Sequence, residues 1–183
     1  MKEQVIMVIS STEEIKEFFD LDKIPNKRVL DLTVVFADGE GKIITDSEVS
    51  ADELYNKALE SAQGPWEYRL MPLNEKLSDL TGDDYESSPL IFARNRSGVL
   101  GASIIAVPEM LEKAYQKIKS DFFVIPSSKH EVLLLPATYG FAVDKKCIKG
   151  LVETVNSENV SEKDFLSNSL YRYDGKKKEL VFA

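Results

Sequence analysis

The chain has 183 residues, of which 43% are apolar and 30% charged, as is ordinary for one globular domain with a real core. Its 23 Lys and Arg against 31 Asp and Glu give a formal net charge of −8. This excess repels phosphate backbones and anionic lipid, so we expect no nucleic-acid and no membrane partner. The single cysteine, Cys147, excludes an intramolecular disulfide and a multi-thiolate metal site.

The first residues contain a short apolar run, 5–9, which predicts a strand or an ordered leader. They lack the features of a secretory signal, so the expected compartment is the cytoplasm. Ser11 and Glu14 have the spacing of a capping box and predict a short helix that ends before Pro25. We treat 1–183 as a single domain in which residues 1–24 are an N-terminal appendage or the remnant of a longer protein.

A hairpin and a helix are predicted next. Residues 30–36 and 42–45 are rich in β-branched side chains, and the turn between them contains Gly39 and Gly41. A second capping box starts at Ser50, and the apolar positions that follow predict a helix over 51–62. Leucines at helical spacing predict another helix near 73–80, followed by a solvated acidic loop over 81–88.

The second half repeats this order. Strands are predicted at 89–93 and 103–107, joined by a hairpin at Arg94–Gly98, and Pro108 opens a helix over 108–118. Asp144 is the expected cap of a helix over 144–156, with Cys147 on its buried face. Ser161 is expected to open a last helix, and the chain closes with a hairpin whose turn contains the solvated residues Lys176, Lys177 and Lys178.

An offset of 56 residues aligns Phe36 with Phe92 and Glu53 with Glu109. Both segments are predicted as a hairpin followed by an amphipathic helix, which is consistent with two ββα units. We therefore predict an α+β fold with a single mixed, largely antiparallel sheet and helices packed on it.

The densest group of reactive side chains lies between two apolar runs, 122–125 and 132–135, which are both predicted strands. The polar turn between them holds the only histidine of the chain. Its residues with hydroxyl, amine, imidazole and carboxylate groups are Ser127, Ser128, Lys129, His130 and Glu131.

Three interpretations of this turn are open. It is a structural turn, in which the serines bond nearby backbone, His130 bridges two elements, and Glu131 caps a helix or pairs with Arg94 or Arg96. It lines a ligand pocket. Alternatively, Ser127 or Ser128 is a nucleophile with His130 as base and Glu131 as a third group, although adjacent residues of an extended chain point to opposite faces.

Other motifs with known chemistry are missing from the sequence. No second histidine accompanies His130, and no glycine-rich phosphate or dinucleotide fingerprint precedes a helix. We expect neither a metal nor a cofactor.

The turn motif P-S-S-x-H-E, residues 126–131, resembles the signature of an uncharacterised bacterial family common in gut Firmicutes, a domain of unknown function. The likeness extends from about Ile24 to the end. Its further residues are Asp31, Asn95, Gly101, Ala102, Asn156, Ser167, Asn168, Tyr171, Tyr173 and Asp174. Lys129 stands where an apolar residue is usual in that family, so the resemblance implies an exposed lysine. It also implies longer relatives with an additional N-terminal region.

The resemblance implies no activity, cofactor or partner. The leading prediction is a non-enzymatic cytoplasmic domain that binds a protein or a small ligand. The alternative is a hydrolase-like enzyme that uses Ser127 or Ser128 with His130 and Glu131.

Overall fold

The structure, a computed structural model, describes residues 4–46, 48–126, 128–140 and 145–183. For residues 80, 140, 145, 147, 151, 155, 158 and 159 it describes the backbone alone. The described chain forms two antiparallel sheets with helices packed against them. The α+β class is confirmed, but the strands are divided between two sheets instead of forming one.

The smaller sheet has the order β1-β3-β2. Its strands are β1 (Val5–Ser11), β2 (Asn26–Val29) and β3 (Leu32–Asp38). β3 pairs with both neighbours and is almost wholly buried, as its β-branched and aromatic residues predict. Residues 5–9 therefore form a strand, and β1 contributes Val5, Met7 and Ile9 to the main core.

The larger sheet has the order β4-β5-β7-β6-β8-β9. Its strands are β4 (Tyr68–Pro72), β5 (Ile91–Asn95), β6 (Phe122–Ile125), β7 (Val132–Pro136), β8 (Tyr171–Asp174) and β9 (Glu179–Phe182). The strands predicted at 89–93, 122–125 and 132–135 and the closing hairpin are confirmed, with small shifts at their ends. Lys176 and Lys177 donate their backbone N–H groups to Asp174 in the exposed hairpin turn, as expected.

Apart from α5, which was not predicted, the helices agree with the capping and periodicity patterns. They are α1 (Thr12–Phe18), α2 (Ala51–Ser61), α3 (Leu73–Thr81), α4 (Pro108–Ile118), α5 (Ala137–Gly140) and α6 (Lys145–Asn159). Ser11 and Ser50 cap α1 and α2 by accepting the N–H groups of Glu14 and Glu53. In α6, Ile148 and Val152 are buried. The expected cap Asp144 and the side chain of Cys147 lie outside what the structure describes.

The main core lies between the two sheets and includes the buried faces of α2 and α4. A smaller cluster covers the opposite face of the larger sheet, where Phe123 and Ile125 of β6 pack with Ile148 and Val152 of α6. No helix among the described residues is long and apolar enough to cross a membrane.

The predicted strand 42–45 is wrong. Ile43 makes one isolated bridge to Ala37, and the chain then leaves the sheet. The reason is that β2, a segment the sequence did not predict as a strand, already pairs with β3 along residues 32–35. The free edge of β3 is too short to hold a second partner strand.

The predicted strand 103–107 and the hairpin before it are also wrong. Residues Gly101–Ala106 form a 3-10 helix whose members are buried almost throughout. A short apolar run buried on every side cannot be assigned to strand or helix by periodicity. With the second strand missing from both segments, the two proposed ββα units are not formed.

The helix predicted to begin at Ser161 is a single turn. The N–H groups of Asp164 and Phe165 donate to the Ser161 carbonyl, after which Phe165 forms a bridge with Ser128. The carboxylate of Asp164 is directed to another part of the chain, described next.

Candidate functional site

Residues 126–131 connect β6 to β7. We call this segment the hub turn because its backbone forms hydrogen bonds with two other segments. The N–H of Lys129 donates to the carbonyl of Asp164 at 2.8 Å, and the N–H of Ala102 donates to the carbonyl of Lys129 at 3.2 Å. The first bond holds the segment 161–165 and the second holds the 3-10 helix. Ser127 lies outside the described residues.

Lys129 connects the hub turn to α1. Its Nζ lies 2.5 Å from Oε1 of Glu14 and donates to the carbonyl of Lys163 at 2.7 Å. Its side chain is only 13% exposed. The expectation of an exposed lysine is therefore wrong: the ammonium is paired by a carboxylate and a carbonyl, which is the condition under which a lysine can be buried.

His130 connects the 3-10 helix to the segment 161–165. The N–H of Leu100 donates to Nδ1 at 3.2 Å, so Nδ1 carries no proton and the ring is in the Nε2–H form. Nε2 then donates to Oδ1 of Asp164 at 3.1 Å. The Ser161 hydroxyl, which donates to Oδ2 at 2.6 Å, and the His130 ring hold the pKa of Asp164 below its ordinary value.

Glu131 points away from His130 and connects the hub turn to α3 and β5. Its carboxylate lies 3.1 Å from Nζ of Lys76 and 3.6 Å from the guanidinium of Arg94. Of the alternatives predicted for Glu131, the pairing with Arg94 is the one that the structure shows. Nζ of Lys76 also lies 3.6 Å from the centre of the Phe92 ring, a cation–π contact.

Gly101 permits the close packing beneath the hub turn. A Cβ at this position would lie 2.6 Å from the backbone N of Asn95 and 2.6 Å from the carbonyl oxygen of His130. Both atoms belong to the main chain and cannot move aside as a side chain could. Only glycine lets the 3-10 helix approach the turn this closely.

The geometry of His130 bears on the hydrolase alternative. In a catalytic triad the histidine stands between the serine and the acid, with one nitrogen toward each. Here Asp164 stands between Ser161 and His130, and the second nitrogen of the ring accepts from a backbone N–H. The hydroxyl of Ser128 accepts from the backbone N–H of its own turn, at His130. This arrangement orients a ring for structure and directs neither nitrogen at Ser128.

A second polar cluster surrounds Asp31, in the turn between β2 and β3. Its Oδ1 accepts from the hydroxyl of Tyr171 at 2.5 Å, and its Oδ2 accepts from Ser169 at 2.8 Å and from Ser167 at 3.1 Å. Burial and the Asp31 carboxylate raise the pKa of Tyr171. Nearby, Asn156 donates to the carbonyl of Ser167.

A groove with a volume of about 610 Å³ lies where the outer strands of the two sheets meet. We call it the edge groove. It is lined by residues 27–30, Tyr55, Ile105, Ala106, Pro108, Leu111, Lys178 and Leu180. This volume is in the range of small-molecule sites.

The charged side chains on the walls of the edge groove are all cations: Lys27, Arg28 and Lys178. Lys27 pairs with Asp52 at 2.7 Å and lies 4.7 Å from the centre of the Tyr55 ring, and Lys178 lies 3.7 Å from Glu112. Arg28 is exposed and has no ion-pair partner within the described part of the chain.

Metal-binding geometry is not found in the described ranges, where no group of three or more His, Cys, Asp or Glu side chains could hold an ion. In the clusters around His130 and Asp31, the carboxylates accept hydrogen bonds from hydroxyl and ring donors.

Comparison with known proteins gives one match. The model of a family of unknown function (DUF5688) matches residues 1–175. The chain belongs to this family. The expected membership of an uncharacterised family is thereby confirmed, and the family match includes residues 1–24, which the motif resemblance did not cover. Neither the search of curated proteins nor the search of solved structures found a match.

The sequence pointed to some of these residues and missed others. The resemblance singled out Asp31, Ser167 and Tyr171, which the fold brings together. Asp164, the partner of His130, was missed because it was interpreted as part of a helix start. The edge groove was missed altogether, because its walls come from strands and helices that are distant in the sequence.

Proposed function

We propose that this family member is a single-domain, non-enzymatic bacterial protein of the cytoplasm that binds an anionic, partly apolar ligand or partner segment in the edge groove. One observation carries the proposal: the chain has a net charge of −8, yet the charged side chains that line this groove are all cations. A local positive potential on an acidic protein favours anionic partners.

The floor of the edge groove supports an apolar component in the ligand. Leu111 belongs to the main core, and Tyr55 and Leu180 pack against it. The hydroxyl of Tyr55 is committed to the carbonyl of Ala106 at 2.8 Å, so the ring presents its carbon atoms to the groove. Apolar walls with a few placed charges are typical of binding sites.

The binding interpretation is also favoured over the hydrolase by the hub turn. Lys129, His130 and Glu131 each pair with a different element of the fold. Residues engaged in this way stabilise packing and are poorly placed to meet a substrate. Nucleic acid and membrane surfaces are not proposed as partners, since the overall charge repels both.

The anionic fluorescent probe anilinonaphthalene sulfonate tests the proposal, with Arg28→Glu as the groove variant. Arg69→Glu is the matched control, because Arg69 lies on β4 at the opposite edge of the larger sheet. We expect saturable binding to the folded protein, weakened by Arg28→Glu and unchanged by Arg69→Glu. Absence of binding, or equal affinity in both variants, would overturn the proposal.

A fluorophosphonate probe separates the hydrolase alternative. The proposal predicts no selective labelling of Ser127 or Ser128 in the folded protein, and any weak background labelling should be equal in a His130→Ala variant. Stoichiometric labelling of either serine that depends on His130 would establish a nucleophile and contradict the non-enzymatic assignment.

A further inference from the structure

The edge groove has open strand edges on two of its walls. β2 is the outer strand of the smaller sheet and β9 is the outer strand of the larger one. Residues 27–30 and Leu180 bring these strands to the groove. An outer strand carries backbone N–H and C=O groups that are not used by its own sheet, and it can accept an additional strand.

The register identifies the unused groups of β9. The N–H of Ala183 donates to the carbonyl of Leu170, which makes these two residues a hydrogen-bonded pair. Bonded and non-bonded pairs alternate along an antiparallel ladder. Leu180 and Phe182, which stand opposite Tyr173 and Tyr171, are therefore in non-bonded positions, and their backbone groups point away from β8.

The register also identifies the unused backbone groups of β2. The N–H of Ile44 donates to the carbonyl of Phe36 on the side of β3 where β2 also pairs. By alternation, Lys27 and Val29 bond to β3, and the backbone groups of Arg28 point outward. Within the described ranges, the outward groups of Arg28, Leu180 and Phe182 have no backbone partner.

Side chains make β9 the better edge for a new strand. Leu180 and Phe182 lie on the same face of the strand. Leu180 lines the groove. Phe182 is 57% exposed, and the centre of its ring lies 5.7 Å from the centre of the buried Tyr171 ring. An exposed aromatic residue on an open edge offers a cross-strand contact to an apolar side chain.

The positive charges at the groove indicate which side chains an added strand should carry. Lys178 precedes β9, and Arg28 stands on the facing wall without an ion-pair partner in the described part of the chain. A strand added to β9 would place alternate side chains on the two faces. Carboxylates at those positions that meet Lys178 and Arg28 would complement them.

We infer that the edge groove receives an extended acidic segment of a partner protein, which adds as a strand to the outer edge of β9. The inference rests on the proposed function and specifies its partner. Main-chain bonds to Leu180 and Phe182 hold the segment, and the lysine and arginine select its acidic side chains.

The test uses the full chain and an acetylated, amidated peptide of about seven alternating Glu and Val residues, a usual strand length. The matched peptide has Lys in place of Glu. We expect the acidic peptide to bind and the basic one not to bind, with affinity reduced roughly tenfold by Arg28→Glu and unchanged by Arg69→Glu. Amide hydrogen exchange at Leu180 and Phe182 should slow in the complex.

A peptide with N-methyl groups on alternate amides tests the strand pairing itself, since it retains the charges and loses the donors. Its binding should be abolished. Binding that tolerates methylation and leaves the exchange of Leu180 and Phe182 unchanged would overturn strand addition while the proposed function stands.

Two other outcomes also decide the question. Binding of the anionic dye without binding of the acidic peptide overturns this inference alone, and failure of both probes overturns the proposed function as well. Concentration-dependent dimerisation with slowed exchange at Leu180 and Phe182 in the absence of peptide would show that the occupant is a second copy of the chain, which also contradicts the inference.

Discussion

The hydroxyl of Tyr171 donates to Oδ1 of Asp31 at 2.5 Å, although 140 residues separate the two in sequence. Tyr171 belongs to β8 of the larger sheet, and Asp31 belongs to the turn between β2 and β3 of the smaller one. The bond therefore connects the two sheets. Because Tyr171 is fully buried, its hydroxyl cannot exchange this partner for bulk water.

Replacing Tyr171 with phenylalanine should lower the free energy of unfolding by about 1.5–3 kcal/mol, the usual range for a hydrogen bond to a charged group. The substitution removes only the hydroxyl and keeps the ring in the core. Tyr139→Phe is the control, since that ring is 58% exposed. Urea denaturation of both variants measures the difference, and equal midpoints would show that the bond does not stabilise the fold.

A glycine pair provides a second test. Gly101→Ala places a methyl group 2.6 Å from two backbone atoms, so the 3-10 helix and the hub turn must separate. We expect a loss of at least about 2 kcal/mol, as for severe overpacking. Gly150→Ala, in α6 with no atom within 4 Å of the added Cβ, should instead raise stability by about 0.5–1 kcal/mol. Thermal melts that rank the two variants in the opposite order would contradict this account of Gly101.

Several elements of the fold could be predicted from the sequence alone. The capping boxes at Ser11 and Ser50 and the helix opened by Pro108 were predicted because their signals are local and act through adjacent backbone groups. Arg94 was one of the alternative partners predicted for Glu131, and the two side chains pair. The prediction of a strand at 103–107 was wrong because burial on all sides removes the periodic signal. Strand β2 was not predicted because its polar residues show no alternation of apolar and polar side chains.

Long-range partners were the least accessible to sequence reasoning. No local sequence pattern indicates that Asp164 hydrogen-bonds to His130, or that Lys129 pairs with Glu14 in α1. The resemblance implied an exposed Lys129, because the lysine replaces an apolar residue of the family pattern. The side chain is buried instead, since the carboxylate of Glu14, distant in the sequence, pairs with its ammonium. Such contacts form between segments that are distant in the sequence, so they depend on the whole fold. The edge groove also depends on the whole fold, because its walls come from distant segments.

His130→Ala tests the structural interpretation of the hub turn. The substitution leaves the N–H of Leu100 and the Asp164 carboxylate without the ring. An unsatisfied group of this kind costs roughly 1–3 kcal/mol, which corresponds to a melting temperature lower by several degrees. The milder Asp164→Asn variant keeps an acceptor for Nε2 and should lose less. An unchanged melting temperature for His130→Ala would favour a ligand-binding or catalytic role instead.

Alkaline pH should destabilise the protein through tyrosines that are partly or fully buried. Burial raises the pKa of Tyr68 to about 12, despite the bond to Ser103 at 2.9 Å that opposes this shift, while the unfolded value is about 10. A phenol whose pKa is raised by folding stabilises the folded state below the unfolded pKa, and that contribution is lost as the pH rises from about 10 through about 12. Urea unfolding of the wild type and Tyr68→Phe across this range isolates the effect of Tyr68 from the deprotonation of lysines, which both share. We expect the free energy of unfolding of the wild type to fall more steeply with pH than that of the variant, by at most about 1.4 kcal/mol per pH unit. Parallel curves of unfolding free energy against pH would mean that the Tyr68 hydroxyl ionises equally well in the folded and unfolded chains.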